Sequence, residues 1–269
     1  MPAFLRVIHP APAAAVVALS AALGAILANQ AGVPLGERWV LTVLAVAGSQ
    51  VFTGATNDIA DRVRDAAVRP EKPIPAGELG LNAAAWIASA GLAIQLAASW
   101  RTDGLALVLG VVASGSALAY NLALSRTPFS PLPYLISFGL LPAWIAAGVG
   151  VPLERVLPAI PLVAPFAIAA HLANTLRDFE ADAVGGSRSL AQVLGRPASR
   201  RLAAGLALGV GLGVGGALVL GGRSTPWSVG LGLIGLVAVA QGTRSERRLW
   251  YGVLVAAICW TAAWALSTA

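Results

Sequence analysis

One cysteine, Cys259, and two histidines, His9 and His171, are the only thiol and imidazole groups in the chain. A lone cysteine excludes an intramolecular disulfide, and so few thiols and imidazoles exclude a zinc site of Cys and His composition. Charge is scarce as well. Charged residues make up 11% of the 269, against roughly 25% in soluble domains, while 57% are hydrophobic. A chain this apolar is an integral membrane protein, surrounded by membrane lipid. Its formal net charge of +6 follows from where Arg and Lys fall along it, and no nucleic acid is needed to explain it.

What is present is a series of apolar runs, at about 12–30, 39–56, 82–100, 104–124, 132–150, 157–177, 200–221, 226–241 and 248–267. Each approaches the roughly 17–25 residues of a spanning helix, so the expected fold is all-α, a polytopic bundle of about nine transmembrane helices. The run at 226–241 is the shortest. Small residues after a weakly basic start could mimic a signal peptide, but the further spans make the first run a membrane helix. With the N-terminus in the cytoplasm, 14 basic residues lie on that side and only Arg38, Arg101, Arg155 and Arg223 on the other. The positive-inside rule therefore assigns the loop after Asn57 to the cytoplasmic face of the cell membrane. Nothing marks a separate soluble domain, and residues 1–269 read as one membrane domain. The glycine-rich GVGLGVGG at 209–216 follows no strand, so close helix packing explains it better than a nucleotide loop does.

Asp58, Asp61 and Asp65, three of twelve acidic residues, follow the second apolar run directly. Asn57, Asp61 and Asp65 are spaced i, i+4, i+8, with Asp58 three before Asp61, and a continuing helix turns all four toward one broad face. Such a face repels itself unless something cationic sits on it. Hard oxygen donors suit Mg²⁺, which binds one or two carboxylates and substrate phosphates. A solvated acidic helix end is the alternative. Beyond Asp65, the stretch RPEKP places three prolines within six residues through Pro75, stopping the helix and stiffening a basic loop. Arg69 and Lys72 on that loop suit phosphate oxygens, or serve only topology.

A second cluster repeats the first. Asn174, Asp178 and Asp182 keep the Asn-x3-Asp-x3-Asp spacing at the end of the sixth apolar run, so regions of about 39–80 and 157–196 form a pseudo-repeat. Asp58 has no counterpart there, because Thr175 takes its place. Basic residues are interleaved in both copies, Arg62 and Arg64 in the first and Arg177 in the second. Tyr120 and Asn121 end the fourth run near the same interface, and His171 lies three residues before Asn174. These three are candidate pocket residues, with a belt role open for Tyr120 and a buried structural role for His171. Tyr134, Phe138, Trp144 and Phe166 supply aromatic faces for a cation or packing for the bundle.

NDIADRVRD, RPEKP and the trailing PAG, together with Asp178, Asp182 and Gly185, resemble the two motifs of the UbiA superfamily of intramembrane prenyltransferases. The resemblance implies nine helices around a central cavity in which Mg²⁺ binds a polyprenyl diphosphate. By position, Asn57, Asp61, Asp65, Asn174, Asp178 and Asp182 are its metal ligands. The catalytic carboxylates are Asp58, Asp61, Asp65, Asp178 and Asp182. Arg64, Arg69, Lys72, Arg126, Arg177 and Arg188 are its diphosphate-binding residues, Lys72 standing where Arg is more common. The expected activity is Mg²⁺-dependent transfer of a prenyl chain to an acceptor, by default the aromatic ring of quinone-type biosynthesis. A terpene cyclase on the same scaffold keeps the ionisation and needs no acceptor. A repeat-built transporter is the non-enzymatic alternative, and clusters at one interface rather than the bilayer midplane count against it.

Overall fold

The computed structural model describes residues 1–267, all of whose regular elements are helical. A short α1 (Ala3–Arg6) precedes α2 (Pro10–Gln30), α3 (Glu37–Val68), α4 (Leu81–Thr102), α5 (Gly104–Leu122) and α6 (Pro131–Val149). Then come α7 (Ile160–Arg177), α8 (Phe179–Val184), α9 (Leu190–Leu194), α10 (Arg196–Leu220), α11 (Pro226–Gly242) and α12 (Glu246–Ser267). Among the described residues, eight helices are long and apolar enough to cross a membrane. The ninth expected span, α11, has 17 residues. At about 26 Å it falls a little short of the roughly 30 Å hydrocarbon layer.

Two compact units divide the chain. One comprises Met1–Ser125 with Leu140–Leu157, and the other Arg126–Gly139 with the chain from Pro158 onward. Helix α6 thus gives its first half to the second of these units and its second half to the first.

In the first unit, α3 and α4 cross at Gly48 and Gly91. A Cβ on Gly48 would lie 2.5 Å from the Gly91 carbonyl oxygen, and one on Gly91 2.8 Å from that of Gly48. Lipid supplies no hydrophobic drive for helix association, so small residues that allow backbone contact take over that role. Polar groups add to it: Ser49 Oγ lies 3.1 Å from Ser114 Oγ, which in turn bonds Gln95 Oε1. All three side chains are buried, and the bonds join α3, α5 and α4.

In the second unit, Ala203, Ala207, Val210, Val214 and Leu218 form one stripe of α10. They pack with Leu172 and Leu176 of α7 and with Val253, Ala256 and Trp260 of α12. Trp260 occupies the space left by Gly211 and Gly235 and donates its indole N–H to the Gly232 carbonyl at 3.2 Å. The glycine-rich run of α10 therefore includes a real packing position, Gly211, whereas Gly209, Gly215 and Gly216 face open space.

Because the obstacle at Gly48 is backbone and cannot rotate away, Gly48→Ala is expected to destabilise the purified protein by about 1–3 kcal/mol. Gly215→Ala, with nothing in reach of its Cβ, should stay within about 0.5 kcal/mol of wild type. Thermal midpoints in detergent compare the two.

Candidate active site

Helix α3 does not stop where its apolar run ends. Its 32 residues span about 48 Å, well beyond an apolar layer of about 30 Å, and the surplus carries the first acidic cluster. Asp58, Asp61 and Asp65 are all buried, while Arg62 and Val63 between them are exposed, so the expected single face exists. Asn57 is half-buried beside it and donates to Asp61 Oδ2 at 3.4 Å and to Asn121 Oδ1 at 3.3 Å. Asn121 is buried at the end of α5 and donates to Thr53 O and Thr56 Oγ1, which orients its amide toward the cluster. Tyr120, next to it, is half-buried.

The cations on this face belong to the chain itself. Arg64 Nη2 lies 2.7 Å from Asp61 Oδ2, and Lys72 Nζ bridges Asp58 Oδ1 at 2.9 Å and Asp65 Oδ2 at 2.7 Å. The proline-rich loop makes the bridge possible. Helix α3 ends at Val68, Arg69 N–H caps Asp65 O at 2.7 Å, and the turn from Arg69 to Ala76 folds Lys72 back along the helix. Gly77, with φ of 72°, closes that turn in the left-handed region that glycine tolerates.

Sequence reasoning set His9 aside, yet the structure places it here. Its Nε2 lies 2.9 Å from the same Asp58 Oδ1. His9 has a φ of 51° and is the sole described non-glycine residue with positive φ. Gly54 admits the Ile8 backbone directly onto α3, where a Cβ would lie 2.8 Å from the Ile8 carbonyl. Val7 is fully buried. Arg6 bonds Glu78 Oε2 at 2.7 Å and also the Glu71 carbonyl, tying the N-terminal segment to the loop that carries Lys72. His9 and Asp58 lie 49 residues apart, a separation at which no spacing rule links them.

The second cluster is built differently. Helix α7 ends at Arg177, Asp178 interrupts it for one residue, and α8 resumes at Phe179. Asp178 N–H reaches back to Thr175 O at 3.2 Å, a tighter turn, before Asp182 N–H bonds Asp178 O at 2.9 Å. Asn174, Asp178 and Asp182 are half-buried. The chain then turns at Gly186, with φ of 69°, and Arg188 N–H bonds the Arg126 carbonyl at 3.0 Å, which joins two of the expected diphosphate-binding residues by their backbones. Arg177 is exposed and stacks over Trp250 at 5.5 Å. His171 is fully buried, 3.0 Å from Ser130 Oγ and tilted against the Tyr134 ring at 4.6 Å between centroids. Ser130 Oγ also accepts the Leu190 N–H at 3.3 Å, so His171 braces the loop after the cluster.

Sequence reasoning missed Arg196, which braces α8. It pairs with Glu246 at 2.8 Å and Glu180 at 2.6 Å, and its guanidinium lies over the Phe179 ring at 4.8 Å.

Among the described residues, no three His, Cys, Asp or Glu side chains converge as a ready-made metal cage. The donors nonetheless fit Mg²⁺, which needs only one or two carboxylates when water and phosphate complete its shell. Asp65 Oδ1 is buried without a hydrogen-bond partner, a hard oxygen in need of one.

The model of the UbiA prenyltransferase family matches residues 17–268. Over 198 residues the chain is 31% identical to the digeranylgeranylglyceryl phosphate synthase of Methanoculleus marisnigri, covering 72% of this chain and 68% of that one. It is also 31% identical over 186 residues to the bacteriochlorophyll synthase 33 kDa chain of Cereibacter sphaeroides, covering 64% and 61%. A UbiA homologue from Archaeoglobus fulgidus, solved bound to GPP and Mg²⁺, shares the fold over 99% of both chains, with a TM-score of 0.68 and 15% identity. With nearly its whole length inside one family, the chain belongs to the UbiA prenyltransferases.

Proposed function

We propose that this membrane enzyme ionises a prenyl diphosphate and transfers the prenyl chain to an acceptor. The observation that carries the reading is the buried carboxylate face at the end of α3, with Lys72 folded onto it. Asn57, Asp61 and Asp65 in one cluster, and Asn174, Asp178 and Asp182 in the other, are the proposed Mg²⁺ ligands. When bound, Mg²⁺ neutralises the diphosphate and stabilises it as leaving group. The chain's own cations support the same charge from fixed positions. Lys72 and Arg69 come from the proline-stiffened loop, Arg64 from α3, and Arg126, Arg177 and Arg188 lie beside the second cluster. Breaking the allylic C–O bond sends its electron pair to the diphosphate and leaves a carbocation, which aromatic rings such as Tyr134 and Phe138 stabilise until the acceptor bonds to it and gives up a proton. Those two rings lie 5.7 Å apart.

The sequence pointed to an aromatic acceptor by default. The names of the relatives favour widening this, since one is a synthase of digeranylgeranylglyceryl phosphate and the other of bacteriochlorophyll. We read the acceptor as a glyceryl phosphate or an aromatic compound, to be separated by mass spectrometry of products from purified protein, Mg²⁺, a panel of prenyl diphosphates and each acceptor. A cyclic hydrocarbon formed without acceptor would defeat transfer. The clusters are proposed to face the cytoplasm, the side to which the positive-inside rule assigns most of the Arg and Lys. In a Cys259→Ala background, Ala76→Cys in intact cells should resist a membrane-impermeant thiol reagent and react once the membrane is opened; labelling in intact cells would reverse the orientation.

Asp61→Ala and Asp178→Ala are each expected to lower diphosphate release at least about a hundredfold while the protein still elutes as a folded species. Undiminished turnover in either would defeat the assignment. Chelation by EDTA should abolish release, and added Mg²⁺ should restore it.

A further inference from the structure

We infer that Asp58 is a positioning residue which, with His9, seats the Lys72 ammonium for the diphosphate, and that it is not one of the metal ligands. The inference rests on the prenyl diphosphate reading above.

Three basic and acidic groups meet at one oxygen. Asp58 Oδ1 accepts from Lys72 Nζ at 2.9 Å and lies 2.9 Å from His9 Nε2. Lys72 is the only lysine among the chain's 18 basic residues. An ammonium has three N–H donors. Two go to Asp58 and Asp65, and the third remains for a phosphate oxygen. The two carboxylates differ in how they are used. Asp65 keeps Oδ1 without a hydrogen-bond partner, a donor suited to a cation, whereas Asp58 has one oxygen engaged by two basic groups. If Asp65 is taken up as a metal ligand, Asp58 is the contact that still holds Lys72 in place.

The N-terminal segment is built to deliver His9 to this point. Val7 is buried, Ile8 lies on Gly54, and Arg6 is tied to both Glu71 and Glu78 of the Lys72 loop. A left-handed histidine is strained and persists where its surroundings over-determine it. The second cluster supplies the contrast. Thr175 stands at the position of Asp58 and returns its hydroxyl to the His171 and Leu172 carbonyls of its own helix, both at 3.1 Å. No lysine exists there to be seated, and the carboxylate is absent with it.

The test is calorimetric titration of the purified full-length protein with pyrophosphate in excess Mg²⁺, beside steady-state kinetics with a prenyl diphosphate. Asp58→Asn and Lys72→Met should each weaken pyrophosphate binding roughly tenfold and raise KM for the prenyl diphosphate by a similar factor. The double variant should be no worse than either single, as expected for groups acting through one contact. The Mg²⁺ concentration for half-maximal rate should move less than about threefold in Asp58→Asn, in contrast to Asp61→Asn. His9→Ala should weaken pyrophosphate binding about threefold, and His9→Gln, which keeps a donor, should recover most of it. Additive losses in the double variant would overturn the inference. So would an Mg²⁺ requirement in Asp58→Asn raised as far as in Asp61→Asn, or wild-type protein that binds no pyrophosphate. Wild-type protein that binds pyrophosphate but transfers no prenyl chain would defeat the transferase reading and leave this one standing. Should Asp58→Asn fail to fold, the same cycle run on His9→Ala and Lys72→Met decides.

Discussion

Much of the first unit depends on one ammonium between two carboxylates. Asp58 and Asp65 lie seven residues apart on the same face of α3, each almost completely excluded from solvent. Two buried negative charges about two turns apart on one face would be severely unfavourable without a partner, and breaking such an arrangement typically costs about 3–5 kcal/mol. Lys72 is the partner, and holding it there dictates the rest. The helix must end soon after Asp65, the loop must fold back rather than extend, and the prolines of RPEKP restrict it to doing so. The Arg6 contacts to Glu71 and Glu78 then fasten the loop from its outer side.

The two acidic motifs share a spacing and differ in construction. In the first, an unbroken helix carries all three aspartates and their carboxylates are met by internal cations. In the second, the helix tightens at Asp178 before resuming, and the support comes from around the cluster, through Arg196 against α8 and through Ser130 and His171 against the following loop. One spacing of residues thus sits on two unlike backbones. The difference fits the absence of a second Asp58.

Legibility of the sequence followed distance along the chain. The membrane helices could be read because twenty apolar residues have few other uses, and the carboxylate face of α3 because its members lie within nine residues and helical periodicity relates them. Lys72 could be read as a candidate phosphate-binding cation, being only seven residues past Asp65, but its bridging of Asp58 depends on how the loop folds back. The break at Asp178 has no Gly or Pro to announce it. His9 and Arg196 were invisible for a common reason: each acts through partners on other elements, and nothing in local spacing connects Asp58 to His9 or Glu246 to Arg196. The single-residue asymmetry between Asp58 and Thr175 was legible from the start, although its meaning needed the contact to His9.

Gly54 accepts the backbone of Ile8, a residue made long before it. During synthesis the segment from Arg6 to His9 precedes everything it binds: Asp58 follows His9 by 49 residues, and Arg6 finds its carboxylate only when Glu78 has been made, 72 residues later. Until Gly54 and Asp58 have been made, Ile8 and His9 have no seat. The segment is therefore made before the glycine and the carboxylates that receive it, and the carboxylate face stays open on one side until α3 and its following loop are both complete.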